Sequence, residues 1–175
     1  TAITRASKEL IGNIIRTPTI RSQHLSSEIN GEVFLKLENL QYTSSFKVRG
    51  AYTSITRLKE EQKKMGVIAM SAGNHAQAVA WWAKKERVNA TIVMPEHAPL
   101  FKVMKTKSLG ADVILRGRTL NESQTYVSEL VNDKKLTLIH PYDDSNVIIG
   151  QGTIGLEFME DVKDLDLLVL SLIHI

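Results

Sequence analysis

The chain of 175 residues has no cysteine. Disulfides and thiolate chemistry are therefore excluded, and the lack of cysteine fits a cytoplasmic protein. It also lacks a strong charge of one sign. The net charge is only +3, and the basic residues are scattered rather than gathered in a stripe, which argues against nucleic acid as a partner. Runs such as Lys59-Glu60-Glu61-Gln62-Lys63-Lys64 mix signs and read as a solvated helix end. No long hydrophobic run is present. The longest, Leu167 to Ile175, is too short to span a bilayer, and Thr1 to Arg16 is polar and amphipathic rather than a signal peptide. Internal repeats and low-complexity linkers are missing. What remains is a globular composition, 43% hydrophobic and 23% charged, with room for a sizeable core and at most two small domains.

Strand and helix patterns alternate, which predicts α/β architecture with parallel strands. Pro18 ends a first helix, because the residue before a proline is pushed out of the helical region. Residues 33–38 alternate like a strand. A helix opens near Phe46 with Ala51, Ile55 and Leu58 on one face and Gly66 as its stop. Strands are expected at 67–70, 91–95, 112–115 and 136–140. Helices are expected at 75–86, at 99–109, from about Asn121 (whose side chain can cap it) and at 154–159 after Gly150-Gln151-Gly152-Thr153. Residues 166–170 read as one more parallel strand. Of Trp81 and Trp82, one belongs to the core and the other is partly exposed. Asp143 and Asp144 are adjacent carboxylates on a turn, solvated rather than metal-binding, and no metal site is expected in the chain.

Two segments carry chemistry. The first is Glu38-Asn39-Leu40-Gln41-Tyr42-Thr43-Ser44-Ser45-Phe46-Lys47-Val48-Arg49-Gly50-Ala51. A lysine behind small hydroxyl residues and one aromatic can be held with its ammonium desolvated, which lowers its pKa and frees the amine to form a Schiff base. On spacing alone, a lysine near a helix start is usually solvated. The second is Ser71-Ala72-Gly73-Asn74-His75-Ala76-Gln77, between a buried strand and a helix. Backbone N–H groups at a helix N-terminus bind anions, although taken alone the segment also reads as a glycine turn with an ordinary cap.

Together, and in this order, the two segments resemble the pyridoxal-phosphate-dependent threonine/serine dehydratase family (threonine ammonia-lyases, of fold type II, similar to the tryptophan synthase β chain). The segments around Pro95–Val103, Lys107–Ala111, His140–Asp144 and Gly150–Thr153 also match. The resemblance covers Ile11 to Leu170. It implies a two-domain fold-type-II enzyme with parallel sheets flanked by helices, here cut within the large domain. Residues 1–65 would begin the large domain, 66–144 would form a βαβαβ small domain, and 145–170 would return to the large one. Residues 171–175 read as a tail derived from a sequencing adaptor.

The resemblance implies pyridoxal 5'-phosphate as cofactor, bound as a Schiff base to Lys47, which is also the catalytic base. Phe46 and Asn74 would join Lys47 in holding the cofactor, Asn74 at its ring hydroxyl. Ser71, Ala72, Gly73, Asn74 and His75 would hold the amino-acid substrate, with Tyr142 facing its side chain. The implied reaction is dehydration and deamination of L-threonine, and of L-serine, to a 2-oxo acid and ammonia. This chemistry belongs to amino-acid metabolism, of which isoleucine biosynthesis is one setting. Racemases resembling this family carry serine where this chain has Ala72, so a lyase is expected over a serine racemase. The family's phosphate loop, the residue facing the pyridine nitrogen and its metal site would lie past Leu170, leaving a shortened chain that binds cofactor weakly. A homo-oligomeric cytoplasmic enzyme is expected at full length, with a non-catalytic fragment as the alternative.

Overall fold

The computed structural model describes residues 1–170, without the side chain of Leu120; the expected adaptor tail at 171–175 lies outside the described residues. In chain order the elements are α1 (Ala2–Leu10), β1 (Thr19–Arg21), α2 (Gln23–Ile29), β2 (Phe34–Lys36), a 3-10 turn at Glu38–Leu40, α3 (Lys47–Thr56), α4 (Glu60–Met65), β3 (Val67–Met70), α5 (Asn74–Lys85), β4 (Ala90–Met94), α6 (Leu100–Ser108), β5 (Asp112–Leu115), α7 (Leu120–Lys134), β6 (Thr137–Leu138) and α8 (Ser145–Asp161).

Four strands form a parallel sheet in the order β5-β4-β3-β6. Both faces are covered, as parallel sheets require. Alternation along the strands sorts their side chains. Val67, Ala69, Ile92 and Met94 face α5 and α3, while Ile68 and Val93 face Val127 and Leu130 of α7. Away from this sheet, β1 and β2 pair antiparallel, Ile20 opposite Leu35. The segments before and after the sheet meet through α3, α8 and α1.

Several boundaries differ from the sequence reading. The first helix stops at Leu10, well before Pro18, because Gly12 adopts φ +78° and the Asn13 side chain donates to the Glu9 carbonyl at 2.9 Å. The helix expected between Phe46 and Gly66 is broken into α3 and α4 without help from glycine or proline. Lys59 is extended at the break, and its N–H donates to the Gln62 side chain at 3.0 Å. Helix α7 is capped by Thr119, whose hydroxyl accepts from the Glu122 N–H, not by Asn121.

Helix α8 starts nine residues before the predicted Ile154, capped by Asp144, whose carboxylate accepts from the N–H groups of Asn146 and Val147 at 2.7 and 3.0 Å. Gly150 and Gly152 are interior helix residues, not a turn. A Cβ on Gly150 would come within 2.5 Å of the Arg49 carbonyl oxygen and 2.7 Å of Gly50 Cα, and one on Gly50 within 2.9 Å of the Val147 carbonyl oxygen. Glycine here buys close approach of α3 to α8 at the expense of helix propensity. Finally, residues 166–170 form no strand. No described strand lies beside them, and Leu167, Val169 and Leu170 are exposed.

Candidate active site

In an open α/β sheet, ligands bind beyond the carboxyl ends of the strands, where the chain reverses its direction of travel across the sheet. Here the chain runs from β3 outward through β4 to β5, then crosses back to place β6 on the other side of β3. The switch point is therefore between β3 and β6. The loops leaving these strands are Ser71–Gly73 and Ile139–Asp144, and Lys47 reaches the second of them.

Lys47 is the first residue of α3, after Phe46 at the cap. Its Nζ donates to the Pro141 carbonyl at 2.8 Å and lies 5.2 Å from the centre of the Phe46 ring. No carboxylate pairs with it among the described residues. Desolvation lowers the Lys47 pKa below the ordinary lysine value. In the loop just before it, the hydroxyls of Thr43 and Ser45 are buried and find no partner among the described residues.

His75, in the first turn of α5, is buried and meets the Ile139 carbonyl through Nε2 at 2.8 Å. Burial is the main cause that pushes its pKa down to about 4. The ring is thus neutral, and because a carbonyl only accepts, Nε2 carries the proton. Nδ1 is left as a buried acceptor without a partner among the described residues. Next in the loop, His140 Nδ1 accepts from the Asp143 N–H at 2.8 Å, and its ring stands edge-on to Tyr142 with centroids 4.6 Å apart.

Lys47 and His75 are therefore brought to one segment, 139–141, by contacts to its backbone. The other residues of the Ser71 loop stand apart from Lys47. Ser71 Oγ accepts from the Gly73 N–H at 3.1 Å. Ala72 packs against the core, and Asn74 is exposed at the start of α5. A Cβ on Gly73 would meet no atom nearer than 3.9 Å, so open space adjoins this backbone. No hydrogen bond joins Ser71, Ala72 or Asn74 to Lys47 among the described residues. Asp144 is used as the α8 cap and also lies 3.4 Å from Ser54 Oγ.

The carbonyls of Pro141 and Ile139 were not readable as site groups. Backbone acceptors carry no sequence signal, and the order of the sheet that brings them to Lys47 is not a local property. Thr43 and Ser45 were readable only as small hydroxyl residues, not as groups without partners.

These groups fit pyridoxal phosphate. A lysine amine biased toward its neutral form is what its aldehyde requires. The partnerless hydroxyls of Thr43 and Ser45 are hydrogen-bonding groups for a polar ligand, and buried polar atoms are seldom left unpaired otherwise.

Just behind Lys47 lies a second assembly of charge. Arg49 is fully buried and bridges two carboxylates, Glu38 Oε1 at 2.7 Å and Glu157 Oε1 at 2.6 Å. Burial alone would lower its pKa, but the hydrogen bonds to Glu38 and Glu157 outweigh that and raise it. Glu157 Oε2 also pairs with Lys36 Nζ at 2.8 Å, which reaches Asp161 at 3.0 Å. Arg16 and the Thr19 hydroxyl close the network on Asp161 at 2.5 Å each. It ties α3, α8 and both short strands together.

The pattern of the pyridoxal-phosphate dependent enzymes matches residues 10–173. A catabolic L-threonine dehydratase of Staphylococcus aureus is 53% identical over 157 residues, which cover 89% of this chain and 45% of that protein. Among solved structures, a serine racemase from Dictyostelium discoideum superposes with a TM-score of 0.87 at 38% identity, covering 94% of this chain and 54% of that one. The processed form of threonine deaminase isoform 2 from Solanum lycopersicum gives 0.85 at 38% identity, covering 93% and 46%. The chain spans about half the length of the curated relatives it matches. The fold is accordingly that of the fold-type-II pyridoxal-phosphate enzymes, and the chain belongs to the pyridoxal-phosphate dependent enzyme family.

Proposed function

We propose that this chain carries the reactive lysine of a lyase that dehydrates and deaminates L-threonine, and L-serine, to a 2-oxo acid and ammonia. The observation that carries the reading is Lys47: a desolvated amine without a counter-ion among the described residues, next to the switch point of the sheet. The substrate class rests on the similarity to the threonine dehydratase and threonine deaminase.

Pyridoxal phosphate, when bound, supplies the electron sink that makes an amino acid's Cα proton removable. Lys47 Nζ would hold the cofactor and would accept that proton; desolvation lowers its pKa and so favours the unprotonated amine relative to an ordinary lysine. Phe46 walls one side of the amine. Asn74 would contact the cofactor, and the segment Ser71, Ala72, Gly73, Asn74 and His75, with open space at the Gly73 backbone, would receive the substrate carboxylate. His75 holds its Nε2 proton on Ile139 and is a positioning group rather than a base, because burial pushes its pKa down to about 4 and makes it a poor proton acceptor.

Residues 1–65 and 145–170 belong to one domain and residues 66–144 to another, with the site between them. The full-length protein works as a cytoplasmic homo-oligomer on small amino acids. No described helix is long and apolar enough to cross a membrane.

A second reading, serine racemase, is favoured by the similarity to the Dictyostelium enzyme. Racemisation needs a second proton donor on the opposite face of the site, and the Ala72 methyl group cannot serve. Borohydride trapping with pyridoxal phosphate and peptide mapping tests the primary reading: the expected product is a phosphopyridoxyl group on Lys47, and labelling elsewhere sinks it. A longer protein containing this chain should release 2-oxo acid faster than D-serine. The reverse ratio would establish the racemase, and Ala72→Ser should move the ratio toward D-serine.

A further inference from the structure

The loop that leads into Lys47 touches α5 through one aromatic side chain. Tyr42 stacks on Trp81 with ring centroids 5.4 Å apart and planes 28° from parallel. The ammonium of Lys85 sits over this junction, 4.7 Å from the centre of Trp81, 5.5 Å from Trp82 and 5.6 Å from Tyr42. All three distances are within the range of a cation–π contact. Two of the rings belong to the helix that carries Lys85, one turn back at i−4 and i−3. The third, Tyr42, belongs to the loop. Among the described residues the buried indole N–H groups of Trp81 and Trp82 find no acceptor, so no hydrogen bond from these residues holds the rings.

Lys85 also lies in the last turn of α5, where a cation is favourable to the helix dipole whatever it touches. That ordinary role accounts for its charge and leaves its place over Tyr42 unexplained. The loop is otherwise tethered at Gln41, whose side chain spans the Ile15 N–H and carbonyl at 3.0 and 2.8 Å, and by a turn in which the Ser44 N–H donates to the Gln41 carbonyl at 2.7 Å. Ser44 holds a left-handed φ of 56° in that turn, a conformation a serine adopts only when its surroundings enforce it. Thr43, Ser45, Phe46 and Lys47 follow directly, so whatever fixes Tyr42 also fixes where these groups point.

We infer that Lys85 is a positioning residue for Lys47, its ammonium holding Tyr42 of the 41–46 loop on Trp81 of α5. The inference rests on the reading of Lys47 as the cofactor lysine and adds a residue far from it in sequence. The charge, not the bulk, of Lys85 does the holding. Neutralising it, by substitution or by acylation of the exposed amine, loosens the loop without touching the reactive lysine.

The test compares this chain with Lys85→Met, which keeps an apolar stem, and Lys85→Arg, which keeps the cation. Hydrogen exchange of the Ser44 amide reports the loop, and borohydride trapping at a low fixed concentration of pyridoxal phosphate reports Lys47. In Lys85→Met, Ser44 exchange should rise and Lys47 trapping fall, each about two- to fivefold, while Lys85→Arg should match the parent. The idea is overturned by unchanged Ser44 exchange in Lys85→Met, by faster exchange with unchanged trapping, or by an arginine variant that fails alongside the methionine one. A parent chain that is never trapped at Lys47 sinks the cofactor-lysine reading instead, and the exchange comparison still decides whether Lys85 holds the loop.

Discussion

Lys47 and Arg49 are two residues apart on one helix, both cations near its start, and their surroundings are opposites. Arg49 is wholly buried yet bonded to two carboxylates, so its charge is secured. Lys47 is only partly buried but meets a neutral carbonyl and a ring, with no carboxylate among the described residues, and desolvation disfavours its charge. Burial alone predicts the wrong order. What separates the two is the count of opposing charges, because an unpaired ion loses its hydration without compensation while a doubly paired one regains it. The arginine ties the helix to two carboxylates; the lysine has no carboxylate partner among the described residues.

Substitutions at these residues and their neighbours break or sharpen this contrast. Lys47→Ala should abolish trapping of pyridoxal phosphate while leaving the urea midpoint unchanged or raised, since it removes a desolvated charge; mass spectrometry and urea unfolding read the two effects. Arg49→Met should do the reverse. It strands Glu38 and Glu157 inside the protein, at a cost of about 3–5 kcal/mol, and urea unfolding should show that loss. Adding Glu38→Gln and Glu157→Gln should recover part of it, and no recovery would mean that packing rather than charge makes Arg49 indispensable.

Gly150→Ala comes next. The added methyl meets the Arg49 carbonyl at 2.5 Å, and forcing α3 from α8 should cost about 1–3 kcal/mol in urea unfolding. The same substitution at Gly155, where a Cβ meets nothing within 4 Å, is the control.

The smallest effects are in the acid range. His75 has its pKa lowered, chiefly by burial, from 6.5 to about 4. The unfolded chain therefore binds more protons between those values, and stability should fall as pH drops from 6.5 to 4. For Asp161, burial alone would raise the pKa, but hydrogen bonds from Thr19, Lys36 and Arg16 lower it from 3.8 to about 2. Its contribution is present above 3.8 and lost as pH falls through 2. Urea midpoints against pH should lose the first slope in His75→Gln and part of the second in Asp161→Asn.

Much of this was legible in local sequence. Strands β3, β4 and β5 and helix α5 stand where apolar runs and turn residues put them, because their cores are continuous in the chain. The segment around Lys47 was legible as a family resemblance, though not as geometry. Nothing local announces that Gly150 sits inside a helix: the Gly-Gln-Gly-Thr run, read as the lead into a helix at 154–159, lies within α8 and offers a smooth surface to α3. The Arg49 network was equally hidden. Its members come from residues 16, 19, 36, 38, 49, 157 and 161, and only folding makes them neighbours. The missing strand at 166–170 has the same origin, since β-structure needs a neighbour that an apolar run cannot supply by itself.

The glycine contact between α3 and α8 has a mechanical consequence. It works as a fulcrum: α3 is clamped at Gly50 and Thr53, one and two turns beyond its first residue, while its tip carries Lys47. A small tilt at the clamp would be delivered to the amine as a displacement.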